Sequence, residues 1–309
     1  MSRGRIVALG TVTPGFERYC PLLAGQLDAT WPGHPPLFYA LPAGRTAPYD
    51  RTIPTDATAW TGVLLAGVEH VRRQLGCSHV FVLLEDHVPL APCDAGLLEG
   101  VFATALREEL ACVAFAKYRW PAPGEEPRPD AAGRVRAWRE SDVVTVGGHR
   151  MARLPRSFAL YNQCQPALWD AGYYASLLTA AVARGVEDPW AFEELALTDQ
   201  PQHYVSEYRW PSRHCGYRRR GKVYLRALYV MKMPEGRALR DELLRERFPW
   251  LPRPACDALG AGFTLWGSLR RRSDPLLRTL SQELRRATHP PRTVAAAVRR
   301  AAARRRAVR

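Results

Sequence analysis

The chain of 309 residues is long enough for one large domain or two of ordinary size. With 47% hydrophobic and 24% charged residues, it has the composition of a globular protein with a substantial core, which excludes collagen-like, wholly disordered and disulfide-stapled chains. The net charge of +14 is concentrated in residues 270–309, which carry 13 Arg and two acidic residues, so the body is nearly neutral. A nearly neutral body argues against a specific nucleic-acid partner, for which a basic face is expected.

Cysteine usage and hydropathy indicate a reducing compartment. Seven Cys at irregular spacings form no CxxC pair, which disfavours a structural zinc site or a redox dithiol. The apolar run at 6–9 is too short for a signal-peptide core, and no stretch approaches the roughly 18 to 20 apolar residues that span a bilayer. We therefore expect a cytoplasmic protein.

Apolar runs alternate with helical periodicity in the first part of the chain, which indicates an α/β sheet. The elements predicted there are a strand at 5–9, a helix at 14–29, a strand at 36–41, a helix at 58–75, a strand at 79–84, a helix at 93–110 and a strand near 112–116.

The pattern becomes less regular in the second part. It predicts strands at 143–146 and 157–161, a helix at 166–184, a shorter helix at 190–197, and strands at 204–208 and 223–230. Residues 237–309 are helical or irregular in pattern. We therefore predict a first domain over 1–235 and a helical extension with a basic tail over 236–309.

The strand at 79–84 ends in Glu85, Asp86 and His87. Its continuous apolarity indicates burial on both faces, as in a central parallel strand. In open α/β sheets, ligands bind outside the carboxyl ends of strands, and carboxylates there can hold a divalent cation on a diphosphate. A purely structural interpretation, in which the two carboxylates cap the next loop, stays open.

A second cluster surrounds two aromatic residues, with four carboxylates within residues 187–194. Asp188 fits a helix N-cap followed by Pro189 at the first helical position, and acidic residues are favoured near a helix start. Both a functional site and a well-made helix start therefore explain this segment.

A third segment, 163–169, places Gln163 and Gln165 beside a predicted helix start. Neutral amides suit sugar hydroxyls and aromatic faces suit sugar rings. The alternative is an ordinary helix entry with Trp169 in the core.

Two nucleotide-binding patterns are disfavoured. Residues 216–222 fit G-x-x-x-x-G-K, but Val223 replaces the Ser or Thr that binds magnesium, and no helix is predicted to follow. A nucleotidyltransferase would need a Gly-rich basic loop near the N-terminus, and residues 10–15 are too poor in Gly and basic residues.

Taken in order, these pieces resemble bacterial glycosyltransferases of the GT-A type, in particular those like family 2. Trp60 leads an amphipathic helix into HVFVLLEDHVPL, and QPALWDAGYYASLL…EDPWAFE is similar to the group's Q-x-x-x-W … L-L … P-W-x-F-E segment. Gly221-Lys222 matches a later stretch, so the resemblance covers roughly residues 5–230. It implies a GT-A-like fold: an open, mostly parallel twisted sheet flanked by helices.

The resemblance implies transfer of a sugar from a nucleotide-sugar donor to a hydroxyl of a saccharide or lipid-linked acceptor, in envelope polysaccharide or glycolipid synthesis. Inversion is expected, and retention stays open. It implies that Asp86, with Glu85 and His87, binds a Mg or Mn ion, although Glu-Asp-His replaces D-x-D and leaves metal dependence open. Glu193 falls at the general base of inverting members, and Asp188 is a second catalytic candidate. The residues assigned to the donor are Glu85, Asp86, Gln165 and Trp190.

A different class of function fits the same residues: a non-catalytic sugar- or nucleotide-binding relative, or a membrane-docked scaffold. The Arg-rich tail over 270–309 has two interpretations, a solvated basic helix or a segment that docks on anionic lipid by reversible electrostatic attraction. With the second interpretation, the enzyme is peripheral on the inner face of the membrane.

Overall fold

The computed structural model of the protein describes part of the chain: residues 5–12, 17, 20–84, 87, 89, 92–115, 120, 126–130, 133–135, 137–195, 197, 199–211, 218–219 and 222–223. The chain divides into two units, Met1–Gly216 and Tyr217–Arg309. The domain boundary predicted after residue 235 and the basic helical tail lie outside the described residues and stay predictions.

The first part of the chain alternates strands and helices as the sequence predicts. The elements are β1 (Arg5–Thr11), α1 (Cys20–Thr30), β2 (Leu37–Leu41), β3 (Thr52–Pro54), α2 (Trp60–Arg73), β4 (Cys77–Leu84), α3 (Ala95–Arg107) and β5 (Cys112–Ala114).

The second part contributes short strands and two helices. These are β6 (Val143–Val146), β7 (His149–Arg153), β8 (Ala167–Asp170), α4 (Ala171–Ala183), α5 (Pro189–Glu193) and β9 (His203–Ser206). In the second unit, β10 (Arg218–Arg219) and β11 (Lys222–Val223) form a two-stranded antiparallel sheet.

One nine-stranded sheet organises the first unit, in the order β3-β2-β1-β4-β8-β5-β9-β7-β6. β3, β2, β1 and β4 are parallel, β8 is antiparallel to both β4 and β5, and β9 is parallel to β5. β7 is antiparallel to β9 and β6. Seven of the nine strands therefore run in one direction and only β8 and β7 oppose them, which confirms the prediction of a mostly parallel α/β sheet flanked by helices.

Both faces of the sheet are covered at β4. Val80 and Val82 pack into a core with α2 and α4, whereas Phe81 contacts rings from the segments of α1 and α3 on the opposite face. α2 approaches the sheet closely, since a Cβ at Gly67 would lie 2.9 Å from the Cβ of Ala40. The burial of β4 on both faces confirms what its apolar sequence predicts.

Two predicted elements are wrong in type or position. The helix predicted at 166–184 is a strand, β8, followed by α4, and Asp170 caps α4 by accepting a hydrogen bond from the backbone N–H of Tyr173 (2.7 Å). A short apolar run does not distinguish a strand from the start of a buried helix by periodicity. The strand predicted at 157–161 is a turn region in which Phe158 makes a single isolated bridge to Val135.

Within the part of the chain that the structure describes, every helix is too short or too polar to cross a membrane.

Candidate functional site

The carboxyl ends of β1 and β4 lie side by side, with Thr11 paired to Leu84. α2 begins above this edge, and the indole N–H of Trp60 donates to the hydroxyl oxygen of Thr11 (3.1 Å). The first turn of α2 is thereby fixed at the carboxyl end of the parallel strands, where open α/β sheets bind their ligands.

α5 is attached to the same edge through the start of α2. The backbone N–H of Trp60 donates to the carbonyl of Glu187 (3.0 Å), and the hydroxyl of Thr61 donates to the carbonyl of Val186, 125 positions along the chain. The ring of Phe192 lies 5.6 Å from that of Trp60, centroid to centroid. These contacts place the carboxylate-rich segment beside the start of α2, at the carboxyl edge of β1.

α5 is a single capped turn with one buried and one exposed aromatic residue. Asp188 is its N-cap: Oδ1 accepts hydrogen bonds from the backbone N–H groups of Trp190 and Ala191, both at 2.9 Å. Phe192 is fully buried, whereas Trp190 is 64% exposed. The structural interpretation of Asp188 is therefore correct, and a catalytic role for it stays a prediction.

Glu193 ends α5 and is half-buried. Its Oε1 accepts a hydrogen bond from the backbone N–H of Cys164 (3.2 Å), and the thiol of Cys164 donates to the carbonyl of Pro189 (3.5 Å). Because Ala167 at the start of β8 pairs with Val82 near the end of β4, the segment before β8 reaches the same edge. Three segments that are far apart in sequence therefore meet there.

The two glutamines of this segment differ in position. Gln163 is buried, and its amide donates to the carbonyl of Leu160 (2.5 Å), so it stabilises its own turn. Gln165 is half-buried, and its assignment to the donor stays a prediction. Trp169 is fully buried, as the structural interpretation of this segment expects.

His87 is held beside the end of β4. Its backbone N–H donates to the carbonyl of Leu84 (2.9 Å), and its own carbonyl accepts a hydrogen bond from the indole of Trp210 (2.7 Å). The side chain is buried and lines an apolar cleft with Leu27 and Tyr39.

Glu85 and Asp86, which the metal prediction needs, lie outside the described residues. Among the residues that are described, no three His, Cys, Asp or Glu side chains are grouped closely enough to hold a metal ion. The divalent cation at Asp86, Glu85 and His87 therefore stays a prediction.

A buried polar network behind α5 is absent from the sequence-based expectations. Asn162 is fully buried, and its amide Nδ2 donates to the carbonyls of Phe192 (3.3 Å) and Leu195 (2.6 Å). Its Oδ1 accepts from Gln200 Nε2 (2.6 Å), which also donates to the hydroxyl of Tyr173 (3.3 Å). The sequence offered one signal for this network, since Asn162 is the only asparagine in the chain.

The network ends at His203, whose imidazole is neutral. Nδ1 faces the carbonyl of Tyr161 (2.9 Å), which only accepts hydrogen bonds, so Nδ1 carries the proton and Nε2 accepts from the hydroxyl of Tyr173 (2.9 Å). Burial lowers the pKa of His203 to about 4, and burial raises the pKa of Tyr173 above its ordinary value. The network is therefore uncharged at neutral pH.

The chain was compared with known protein families, curated proteins and solved structures. No protein-family model matches the chain, and no curated protein matches it. Among solved structures, it is similar to 2-C-methyl-D-erythritol 4-phosphate cytidylyltransferase from Thermus thermophilus, with 15% sequence identity over 61% of this chain and 83% of that chain. The TM-score is 0.33, so this likeness gives no basis for assigning an activity or a ligand.

Proposed function

We propose that this protein is a nucleotide-utilising transferase, and more specifically a glycosyltransferase that moves a sugar from a nucleotide-sugar donor to an acceptor hydroxyl. The observation that carries the proposal is the meeting of three segments at the carboxyl edge of β1 and β4. There, the carboxylate of Glu193 is oriented by the backbone N–H of Cys164 (3.2 Å).

Glu193 is the general base in this proposal. Its carboxylate takes the proton of the acceptor hydroxyl while the hydroxyl oxygen forms a bond to the anomeric carbon of the donor sugar. The bond from that carbon to the diphosphate oxygen breaks, and the nucleoside diphosphate leaves with the electron pair. One base on the face opposite the leaving group suffices for this single displacement, which inverts the anomeric centre.

Trp190 is the saccharide contact. It precedes Glu193 by three positions, a spacing that places two side chains on one face of a helix. Its indole is 64% exposed, although large apolar side chains usually bury most of their surface. A sugar ring packed on this indole would lie within one helical turn of the base.

The donor diphosphate is assigned to the loop after β4. In the proposal, Asp86, Glu85 and His87 hold the Mg or Mn ion, and Gln165 contacts the donor from the neighbouring segment. The ion would supply neutralisation of charge on the leaving diphosphate. Since Glu85 and Asp86 lie outside the described residues, this part rests on the sequence resemblance.

The proposal assigns the acceptor and the membrane location from the positive charge of the C-terminal segment. An Arg-rich segment over 270–309 suits docking on an anionic membrane surface, where a lipid-linked acceptor would be found. Co-sedimentation of the full-length protein and of a variant truncated at residue 270 with anionic and neutral vesicles tests this. Equal recovery with both kinds of vesicle, or no difference on truncation, would contradict docking on anionic lipid.

The deciding experiment compares Glu193→Gln with wild type across a panel of nucleotide-sugar donors in the presence of Mn ion. Gln keeps the shape of Glu but takes no proton, so we expect turnover to fall by about 10²- to 10⁴-fold with unchanged affinity for the donor. Glu194→Gln is the matched control, because Glu194 is a neighbouring carboxylate that is exposed and paired with Arg134 (3.4 Å).

Two results would contradict the proposal: no turnover of any donor by the wild type, or wild-type turnover per folded molecule in Glu193→Gln.

Asp86→Ala tests the metal assignment separately. We expect this substitution to remove nearly all activity, whereas Glu85→Ala should have a milder effect. Full activity of Asp86→Ala at limiting Mn or Mg would exclude Asp86 as a ligand.

A further inference from the structure

We propose that Asn162 is a positioning residue that holds Glu193 in place through the backbone at the end of α5. The inference rests on the proposed function for the role of Glu193, and on hydrogen bonds among described residues for the positioning itself.

The end of α5 receives hydrogen bonds from a side chain outside the helix. A helix of five residues has too few internal hydrogen bonds to be stable alone, and the last carbonyls of any helix have no intrahelical partner. The amide of Asn162 donates to the carbonyls of Phe192 (3.3 Å) and Leu195 (2.6 Å), which lie on either side of Glu193 in the chain. Asn162 thus adds a donor to the carbonyl of Phe192, which also accepts from the backbone N–H of Leu195 (3.1 Å), and supplies one to the carbonyl of Leu195, just beyond the helix.

The orientation of this amide is fixed by its neighbours. Both carbonyls accept only, so the NH₂ group of Asn162 faces them and Oδ1 faces Gln200 Nε2 (2.6 Å). Gln200 Nε2 also donates to Tyr173, whose hydroxyl donates to His203. Because the two backbone carbonyls only accept hydrogen bonds, one orientation of the Asn162 amide satisfies the network.

The same segment contacts Glu193 a second time. Cys164, two residues after Asn162, donates its backbone N–H to the carboxylate of Glu193 (3.2 Å). Residues 162–164 therefore hold both the backbone around Glu193 and its side chain. Without the amide of Asn162, the last turn of α5 loses one of these two attachments and the carboxylate shifts relative to the substrate.

The test uses Asn162→Ala in the full-length protein, with Gln202→Ala as the matched control. Gln202 also bridges two backbone carbonyls, those of Leu154 (2.9 Å) and His203 (2.7 Å), and makes no such bond to α5. We expect Asn162→Ala to lower kcat per folded molecule by about 10- to 100-fold with an unchanged donor KM, since a misplacement of about 1 Å can cost about 10²-fold.

Hydrogen–deuterium exchange of the peptide 189–195 provides a readout that does not depend on activity. We expect faster exchange there in Asn162→Ala than in Gln202→Ala or wild type. If Asn162→Ala does not fold, Asn162→Ser, which keeps one donor, is expected to give smaller changes in the same direction.

The positioning role is overturned if exchange over 189–195 and kcat stay at wild-type values, or if Gln202→Ala lowers kcat equally. If the wild type turns over no donor, the proposed function has failed. The exchange result then still decides whether Asn162 fixes the end of α5.

Discussion

Both faces of the sheet have an apolar core, but they differ in the specific interactions added to it. On the face of α1 and α3, five aromatic side chains pack with centroid separations of 5.2 to 6.0 Å. On the face of α4 and α5, a chain of side-chain hydrogen bonds connects buried amides, a hydroxyl and an imidazole. The members of the aromatic cluster are Trp31, Phe81, Phe102, Phe115 and Trp210; those of the polar network are Asn162, Tyr161, Tyr173, Gln200 and His203.

The aromatic cluster and the polar network are expected to contribute differently, one to the stability of the fold and the other to the position of α5. Burial of apolar area is non-directional and scales with the area removed from water, so the aromatic cluster contributes mainly to the free energy of folding. Hydrogen bonds are directional, and a fully satisfied buried network specifies one arrangement. We therefore expect the aromatic cluster to contribute to stability and the polar network to determine where α5 and Glu193 lie.

The largest expected effect on stability comes from the centre of the aromatic cluster. Phe81 is fully buried and contacts four other rings, so Phe81→Ala leaves a cavity and should lower the free energy of unfolding by about 3 to 5 kcal/mol. Denaturant titration followed by circular dichroism measures this. Val182→Ala, at a side chain that is 44% exposed, is the control and should change it by less than about 0.5 kcal/mol. If Phe81→Ala lowered the free energy of unfolding as little as Val182→Ala, the aromatic cluster would not be a main source of stability.

The next effect is a pH dependence of the free energy of unfolding that arises from His203 in the polar network. Burial holds the pKa of His203 at about 4, below its ordinary value of 6.5. Between these two values the unfolded chain binds a proton that the folded chain does not, so the free energy of unfolding falls as pH falls from 6.5 to 4, by roughly 3 kcal/mol. Below pH 4 this contribution falls no further.

The measurement is the difference in unfolding free energy between wild type and His203→Gln, at several pH values from 4 to 7. Gln does not titrate, so the difference should shrink toward acid pH. Burial also lowers the pKa of His79, but that residue is common to both proteins and cancels. A difference that is constant with pH would show that the imidazole is not buried in neutral form.

The smallest effect concerns the cap of α5. Asp188→Ala removes the acceptor for two backbone N–H groups and should lower the free energy of unfolding by about 1 kcal/mol. Asp188→Asn keeps a capping oxygen and should be close to wild type in stability and in turnover. If Asp188→Asn reduced turnover as strongly as Glu193→Gln, Asp188 would have a chemical role beyond capping.

Local patterns in the sequence determined much of the fold. The continuous apolar run of β4 predicted a strand buried on both faces, and Asp188 followed by Pro189 predicted the start of α5. The periodicity from Trp60 onward predicted α2. Each of these features depends on neighbours within a few residues, because side-chain direction and capping are set by local backbone geometry.

Only the tertiary structure decided what these elements do together. The sequence did not show that 167–170 would form a strand inserted antiparallel between β4 and β5, because its pairing partners are distant in the chain. Nor did it show that Asn162 would meet Gln200, 38 positions away, or that Trp60 would meet Glu187. The sequence alone thus placed a candidate base on a capped turn, whereas long-range hydrogen bonds, which no local pattern encodes, decided how that base is held.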